Sequence, residues 1–536
     1  MNRRAHAIIA TLAIQISLPF PLPALAQDHH GHAGHKALGE VHFETSCSPL
    51  AQKHFNQAML YQHSFWYSAA RQAFEETLKA DPGCAIAYWG IGQSLLLNPF
   101  GPTPTKNLAD GLALLEKAEA VAAKSQRERD YIVALKTFYA DHDKRDHRSR
   151  VQAYLKAMES VAQRYPDDDE AQIYLALALN LAASPKDQTY ALPLRAAGIL
   201  EPIFKRKPQH PGVAHYLVHS YDFPPIAEKG IDAAQRYARM AGSSPHALHM
   251  PSHIFTRVGL WPESIASNLA SAKVAKQDKE PDDELHAMDY LVYAYLQMAQ
   301  DDKARAVIED MAKVTGVNAA RHTGPFALAA SAARFMVERG DWKGAAELPV
   351  RPSRFAHVDA MTHFARALGA ARSANLDAAK LDVAKLAELK EKLAQARDEY
   401  WAGQVEIQRQ VATAWLRHAE GEHDQALQMM RAASDAEDRT EKHVVTPGPL
   451  APARELLGAM LAERGLLADA LAAFETTLKR EPNRLSTTLA AGAAAEKAGD
   501  QGKARQHYAR AVSLAENADS ARDELKKARA FVRGGK

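Results

Sequence analysis

The sequence predicts an all-α fold, a right-handed α-solenoid built from helical hairpins. Alanine-rich amphipathic segments follow one another, and connectors rich in Pro and Gly separate them, as in NPFGPTPT at 98–105. We find no alternating pattern typical of strands and no Gly-rich phosphate loop. A pattern also recurs after 34 residues, since His215 and His219 are followed by His249 and His253. That step is the length of one helix-turn-helix repeat of the tetratricopeptide (TPR) kind, so we predict TPR-like hairpins.

The repeat is clearest near the C-terminus, where two small positions and an aromatic one recur. Gly458, Ala470 and Phe474 are followed after 34 residues by Gly492, Ala504 and Tyr508, and the N-terminal segment has Tyr61, Ala70, Phe74 and Pro82 at spacings typical of the same repeat. Small residues let paired helices approach closely, and an aromatic ring fills the gap beside them. We predict a solenoid over residues 46–536, in which each hairpin contacts its neighbours and a charged helix at 503–533 caps the end.

Residues 1–26 have the features of a secretory signal peptide. Arg3 and Arg4 precede the apolar run IIATLAIQISLPF, and Ala26 ends a small-x-small cleavage site. The run is too short to span a bilayer, and no second apolar stretch of spanning length follows it. We expect an exported protein, periplasmic or secreted, with no transmembrane segment in the mature chain.

The charge pattern argues against a nucleic-acid partner. The formal net charge is +2, and loss of Arg3 and Arg4 with the signal peptide leaves the mature chain near zero. Acidic and basic residues are interspersed along the sequence, whereas a nucleic-acid-binding domain carries a basic excess or patch. We therefore expect no nucleic-acid binding.

Cys47 and Cys84 are the only cysteines of the chain. One pair in an exported protein favours a disulfide over a redox pair or a thiolate metal site. The bond would close a loop of about 37 residues, for which the chain-entropy estimate is roughly 4 kcal/mol. We predict a structural disulfide at the N-terminal end of the array.

Cleavage after Ala26 would expose a histidine-rich tail, and we predict residues 27–45 to be disordered. The tail begins QDHHGHAGH and contains His29, His30, His32 and His35. Short histidine tracts suit Cu, Ni or Zn. A free amine followed by a third-position histidine, here His29, can also wrap Cu(II) or Ni(II) in four nitrogens. The alternative is a solvated tail that binds metal only incidentally.

Histidines also recur in three successive repeats, in PGVAHYLVHSYD, PHALHMPSHIFTRV and LHAMDYLVYAY. Their i,i+3 and i,i+4 spacings place them on one face of each helix. We predict that eight residues line one concave ligand-binding groove: His215, His219, His246, His249, His253, His286, Asp289 and Tyr293. Pro251 removes a helical hydrogen bond inside the middle segment, so we expect the helix to kink or to begin later there.

The same face predicts a metal site. Two histidines at i,i+4 lean from one helix face, and a third ligand can come from another helix. The predicted groove ligands are His215, His219, His249, His253 and His286. Asp222, Asp289 and Glu284 are candidates for oxygen ligands or for partners that fix an imidazole tautomer. Three histidines with one open position would polarise a substrate or activate water. The alternative is that groove histidines hydrogen-bond to each other or to peptides.

Three further histidines have weaker predictions. His63, close to Trp66, is predicted either to face the groove or to pack in the core. His363 is the best groove candidate among the later histidines, and His443 is expected in a loop before the segment TPGPLAP.

Five sequence blocks resemble bacterial exported TPR proteins: DPGCAIAYWGIGQSLLLNP, HYLVHSYD, PHALHMPSHIF, MDYLVYAYLQ and TPGPLAPARELLG. The resemblance covers most of residues 46–515 and implies fold and location rather than a reaction. In such repeats the second, fifth and ninth residues of the first helix line the concave surface. With Pro245 as first residue, these positions are His246, His249 and His253.

Two functions follow from these observations. The first is an exported scaffold that binds a peptide, a protein or another ligand in the histidine-lined groove. The second is a periplasmic metalloprotein or metal-dependent enzyme that uses the groove histidines with Cu, Ni or Zn.

Overall fold

The computed structural model describes residues 38–240 and 242–534. Within these ranges the chain forms helices and no β-strand. Helices pair into hairpins, and consecutive hairpins pack side by side. The structure thus confirms the predicted all-α solenoid of TPR-like hairpins.

The first half of the described chain contains α1 (Pro49–His63), α2 (Tyr67–Ala80), α3 (Ala85–Leu95), α4 (Thr105–Val121), α5 (Gln126–Tyr139), α6 (His147–Arg164), α7 (Asp169–Ala182), α8 (Ala191–Arg206), α9 (Pro211–Tyr221), a 3₁₀ helix (Ala227–Gly230), α10 (Ile231–Met240), α11 (Pro245–His249) and α12 (Pro251–Arg257). The second half contains α13 (Trp261–Asp278), α14 (Pro281–Gln297), α15 (Asp301–Met311), α16 (Thr323–Glu338), α17 (Trp342–Ala346), α18 (Ala356–Arg372), α19 (Leu376–Gln395), α20 (Glu399–Ala419), α21 (His423–Asp438), α22 (Ala453–Glu463), α23 (Leu467–Arg480), α24 (Leu485–Lys497), α25 (Gln501–Leu514) and α26 (Asp523–Gly534).

Local sequence explains where many of these helices begin. Ser48, Ser125 and Asp146 precede α1, α5 and α6, and each side chain accepts a hydrogen bond from a backbone N–H of the first turn. Such caps satisfy donors that have no partner inside the helix. The kink expected at Pro251 is present, because α11 ends at His249 and α12 begins at Pro251.

The predicted small and aromatic positions hold the paired helices together. A Cβ atom on Gly458 would lie 2.6 Å from the ring of Phe474, and one on Gly492 would lie 2.6 Å from the ring of Tyr508. Both rings are buried. Glycine therefore allows the close approach of α22 to α23 and of α24 to α25, as the repeat pattern predicts.

A disulfide and a packed segment before α1 stabilise the N-terminal end of the array. Cys47 and Cys84 form the predicted disulfide. Residues 38–45, which the sequence analysis placed in a disordered tail, are packed: Phe43 is fully buried and its ring lies 5.2 Å from that of Phe55. Phe43 packs against the first hairpin and Leu38 is also buried, so both apolar side chains are removed from water. The histidines of the tail and the signal peptide lie outside the described residues.

The predicted final helix at 503–533 is instead two helices, α25 and α26. The chain between them turns to meet the middle of the array, where Asp519 accepts hydrogen bonds from backbone N–H groups at the start of α15. Arg522 forms an ion pair with buried Asp301. These contacts accompany the interruption of the helix. They join residues far apart in sequence, so local periodicity does not predict them.

Residues 439–452, between α21 and α22, form a helix-free stretch that we call the central segment. Tyr190 donates a hydrogen bond to Glu441, Tyr290 donates to the carbonyl of Thr446, and Arg334 donates to the carbonyl of Pro449. The central segment thus joins hairpins that are distant in sequence, and it runs beside the predicted histidines.

Candidate metal centre

The first group of histidines is built on α9. His210 caps this helix and Pro211 is its first residue, which sets the phase of the turns that follow. His215 and His219 therefore share one face, and their Nε2 atoms lie 3.1 Å apart. Both side chains are buried.

His246 of α11 completes this group, which we call cluster 1. Its Nε2 atom lies 3.3 Å from Nε2 of His215. The Nδ1 atom of His215 donates a hydrogen bond of 2.7 Å to the carbonyl of His63. In the neutral ring, Nε2 of His215 then has one lone pair and no proton. This lone pair accepts at most one N–H, but the Nε2 atoms of both His219 and His246 face it. Hydrogen bonds to His215 therefore account for only one of these two contacts.

The second group, cluster 2, comprises His249, His253 and His286. His249 ends α11 and His253 lies one turn further along, in α12, so the pair continues across the kink. Their Nε2 atoms lie 3.0 Å apart. His286 comes from α14, and its ring centroid is 4.4 Å from that of His249. In each cluster, one nitrogen from each of the three rings lies within 4.8 Å of the other two.

Hydrogen bonds define the tautomers of His249 and His253. Nδ1 of His249 lies 2.7 Å from Oδ1 of Asn268, and the amide of Asn268 is oriented by the bond from its Nδ2 to the carbonyl of Ser264. Nδ1 of His253 donates to Asp222 over 2.9 Å. Each Nδ1 thus carries the proton of its neutral ring, and the two facing Nε2 atoms have only lone pairs.

Burial keeps these rings neutral. Burial, together with His253, lowers the pKa of His249 to about 3. Burial also lowers the pKa of His253, and it holds the pKa values of the other four histidines well below the usual value: His215, His219, His246 and His286. Neutral imidazole is the form that binds metal ions.

Asp222 holds His253 in place through a hydrogen bond. It accepts hydrogen bonds from His253 and from Arg257, whose Nε is 2.8 Å away. Lys442 of the central segment approaches Asp222 to 3.6 Å. Burial alone would raise the pKa of Asp222, but Lys442 and Arg257 outweigh it and hold the pKa well below the usual range. The predicted role of Asp222 as a partner that fixes an imidazole tautomer fits this geometry.

The two clusters are adjacent and open onto one cavity. The ring centroids of His219 and His253, one from each cluster, lie 6.4 Å apart. The cavity has a volume of about 230 Å³, and four cluster histidines reach it: His219, His246, His253 and His286. A ligand bound there would touch both clusters.

Aromatic side chains form another wall of the cavity. The ring of Phe65 lies 4.4 Å from that of His215 and 5.3 Å from that of His246. Phe100 lies 4.4 Å from His219. Phe65 has φ +53°, the left-handed region that bulky residues rarely adopt. Nine other described non-Gly residues between helices have a positive φ as well, so the conformation of Phe65 reflects the turn between α1 and α2.

A third polar group, His63, Glu170 and His210, differs from the two clusters. Glu170 bridges the two imidazoles, with both Nε2–oxygen distances at 3.0 Å. The backbone N–H of Val213 donates to Nδ1 of His210, and Nδ1 of His63 lies 3.0 Å from the hydroxyl of Tyr216. Every ring nitrogen has a partner, so hydrogen bonds alone account for this group.

The structure brings together six of the eight predicted groove residues and separates two. All five predicted groove ligands lie in the clusters, and His246, predicted for the groove only, joins them. Asp289 lies elsewhere, 3.7 Å from Arg334, and Tyr293 packs against Trp261. The helix α14 is buried along most of its circumference. Residues on one of its faces can therefore contact different neighbouring helices, as His286, Asp289 and Tyr293 do.

Other histidines also have defined places. His63 packs in the core, and His363 is bonded to Asp382 over 2.6 Å, away from the clusters. His443 lies in the central segment, as expected of a loop residue. The sequence patterns do not predict Asn268, Phe65 or Tyr290 as site residues. Each of them contacts a cluster histidine; the ring of Tyr290, for example, lies 4.6 Å from that of His249. No periodic signal points to them, because their role depends on which helices become neighbours.

The fold and this site define an α-solenoid of TPR-like hairpins with two histidine clusters at one cavity. No family model matches the chain, and no curated protein matches it. Among solved structures, yeast Tom70 is 11% identical, with 90% of this chain and 95% of that chain covered and a TM-score of 0.35.

Two further structures show similar levels of likeness. The APC/C hetero-tetramer Cut9–Hcn1 is 13% identical over 89% of this chain and 96% of that chain, with a TM-score of 0.28. The human IFIT1 dimer with m7Gppp-AAAA is 12% identical over 80% and 90%, with a TM-score of 0.35. All three contain TPR repeats. These TM-scores are too low to carry an argument about function.

Among the described residues, no helix is both long enough and apolar enough to cross a membrane.

Proposed function

We propose that this protein is a metalloprotein whose two three-histidine clusters bind Cu, Ni or Zn. The observation that carries the proposal is the pair of facing Nε2 atoms of His249 and His253, 3.0 Å apart. Both Nδ1 atoms hold the ring protons, so neither Nε2 can donate to the other. Two lone pairs at this distance repel each other unless a cation lies between them.

A metal ion fits between the two Nε2 atoms better than a shared proton does. A shared proton needs one imidazolium, and burial lowers the pKa of both rings. A metal about 2.0–2.1 Å from each nitrogen, with near-tetrahedral angles, separates two ligand nitrogens by roughly 3.3 Å. The Nε2–Nε2 distances in the clusters are 3.0, 3.1 and 3.3 Å.

The ligand types restrict the metal. Each cluster consists of three imidazoles and no carboxylate. Imidazole suits Cu, Zn and Ni, whereas Mg and Ca require oxygen ligands. Three histidines leave a coordination position open, and four cluster histidines reach the cavity. A metal there would be accessible to a small molecule, as a Lewis acid or water activator requires.

The test is the metal content of a protein without an affinity tag and without residues 27–35, so that the tail cannot contribute. We expect bound metal in this protein and a loss of cluster 2 metal in His249→Gln. His357→Gln is the matched control, because burial also lowers the pKa of His357 to about 3 and its ring stacks on Trp401, outside both clusters.

The proposal fails if the tail-deleted protein contains no metal and takes up none tightly. It also fails if His249→Gln and His357→Gln have the same metal content as the wild type. A metal loss of equal size in both variants would indicate general unfolding rather than a ligand role.

We also propose that the protein is exported, as its first 26 residues indicate. The Cys47–Cys84 disulfide supports this location, because disulfides persist in oxidising compartments. Alkylation of the protein from separated cell fractions, before and after reduction, tests it: the expected result is an oxidised pair in the periplasm or medium.

A binding role of the solenoid is the second candidate. TPR-like arrays commonly present ligand-binding surfaces. At the clusters, however, the central segment supplies Val444 and Val445 to the cavity wall, which leaves a volume of about 230 Å³. That space suits a small molecule, so a peptide partner would bind on another surface. Saturable peptide binding that chelators do not change would support this role.

A further inference from the structure

We propose that the two clusters together form one dinuclear copper centre, which binds a small bridging anion of two or three atoms, the class that includes peroxide and azide. This inference rests on the proposed metal binding and adds its nuclearity, its metal and its ligand class.

The two clusters share one helix. His246 of cluster 1 and His249 of cluster 2 are three residues apart, on one turn of α11. Residues at this spacing have Cβ atoms about 5–6 Å apart. On the neighbouring side, the rings of His219 and His253 face each other across the clusters at 6.4 Å. The two triads therefore meet along two lines of contact.

Two bound metal ions would need compensating negative charge. The six ligands are neutral, and two divalent ions would add four positive charges to a buried site. The nearest carboxylate behind the clusters, Asp222, is already paired with Arg257 and Lys442. Buried charge is costly unless it is compensated. An anion bound between the two ions would compensate their positive charge.

The cavity contains other charged groups. Glu280, Asp283 and Arg321 line it. Burial, with smaller effects from neighbouring acids, raises the pKa of both carboxyl groups. Arg321 faces them and opposes this shift. Arg321 therefore offsets part of the negative charge of these acids, and neither carboxyl group belongs to a histidine cluster.

The ligand type favours copper. Copper(II) heads the affinity order for nitrogen ligands among divalent first-row ions, and imidazole is a good copper ligand. The cavity wall formed by Phe65 and Phe100 gives the centre an apolar side. The cavity of about 230 Å³ has room for a small anion between the two ions.

The experiment uses the full mature protein with residues 27–35 deleted, loaded with Cu(II) and freed of excess metal. Elemental analysis counts copper per chain, and electron paramagnetic resonance counts unpaired spins, with and without azide. We expect two coppers per chain and, with azide, far fewer than two spins, because bridged Cu(II) ions couple and their signals cancel.

Two variants separate the sites. His219→Gln removes a ligand of cluster 1, and His253→Gln removes one of cluster 2. Each should retain one copper, with one spin that azide does not remove. His357→Gln, outside both clusters, should behave like the wild type.

The outcomes are distinguishable. Two coppers with two spins per chain, unchanged by azide, would overturn the dinuclear centre and leave metal binding standing. One copper per chain in the wild type would overturn it as well. Absence of tight copper would overturn both this inference and copper as the metal of the proposed function. Circular dichroism of each variant ensures that copper loss is compared between folded proteins.

Discussion

Replacement of Asp222 by Asn probes the link between the buried ion network and the metal centre. Asp222 accepts a hydrogen bond from Nδ1 of His253 over 2.9 Å and one from Arg257 over 2.8 Å. Lys442 lies 3.6 Å away. The substituted amide would present one oxygen in place of the two carboxylate oxygens and would carry no charge.

Two effects of Asp222→Asn are expected, and each has a magnitude. Loss of a hydrogen-bond partner behind a metal-binding histidine typically reduces metal affinity by about 10–100-fold. Removal of the anion also deprives buried Arg257 and Lys442 of the carboxylate that lies against both of them, which costs about 3–5 kcal/mol of stability by analogy with broken buried ion pairs. The first effect is specific to the site, and the second is structural.

A matched control separates these effects. Asp301 is also buried and is paired with Arg522 and Arg339, and it belongs to neither cluster. Asp301→Asn should destabilise the fold to a similar extent and leave metal affinity unchanged. Affinity is measured by competition with a chelator of known strength, and stability by urea unfolding of the metal-free proteins.

Either of two results would contradict a role of the Asp222–His253 hydrogen bond in metal binding. One is an Asp222→Asn protein whose metal affinity stays within about twofold of the wild type, against the 10–100-fold expected. The other is an equal loss of affinity in Asp301→Asn, which would show that general destabilisation, not the bond to His253, controls metal binding.

Three further predictions concern stability. Replacing both cysteines of the disulfide by alanine should lower the unfolding free energy by about 4 kcal/mol, and no change in urea unfolding would contradict a structural role. Gly458→Ala should destabilise by about 1–3 kcal/mol, since the new Cβ meets the ring of Phe474 at 2.6 Å, whereas Gly403→Ala, with no atom within 4 Å, should stabilise the helix by about 0.5–1 kcal/mol. Burial raises the pKa of Glu437 from 4.5 to about 8. The folded state therefore holds this proton while the unfolded state releases it, and stability falls by up to about 1.4 kcal/mol per pH unit between those pKa values. Glu437→Gln should remove that slope, and parallel curves for both proteins in urea unfolding from pH 5 to 8 would disprove the assignment.

Helical periodicity was sufficient for much of the architecture. The 34-residue recurrence and the small and aromatic positions depend on neighbours in sequence, and TPR-like hairpins are stabilised mainly by adjacent repeats. Gly458 against Phe474 is such a contact. The i,i+4 pairing of His215 with His219 follows from the same local geometry, as does the kink at Pro251.

The tail boundary and the C-terminal helix needed the tertiary structure. Phe43 is buried because the first hairpins cover it, and composition around the histidine-rich stretch does not contain that contact. The break between α25 and α26 depends on Asp301, more than 200 residues away from its partner Arg522.

What the sequence by itself determined is the fold class, the disulfide and the helix faces that carry the histidines, because each depends on short-range spacing. Only the tertiary structure decided how those faces divide. It placed His246 with His215 and His219, and it directed Asp289 to Arg334 instead. A helix buried on most sides has several faces with different neighbours, and periodicity alone does not say which neighbour each face meets. The tautomers of His249 and His253 likewise depend on Asn268 and Asp222, contributed by other helices and loops. The case for metal binding therefore rests on contacts that form only when the array is assembled.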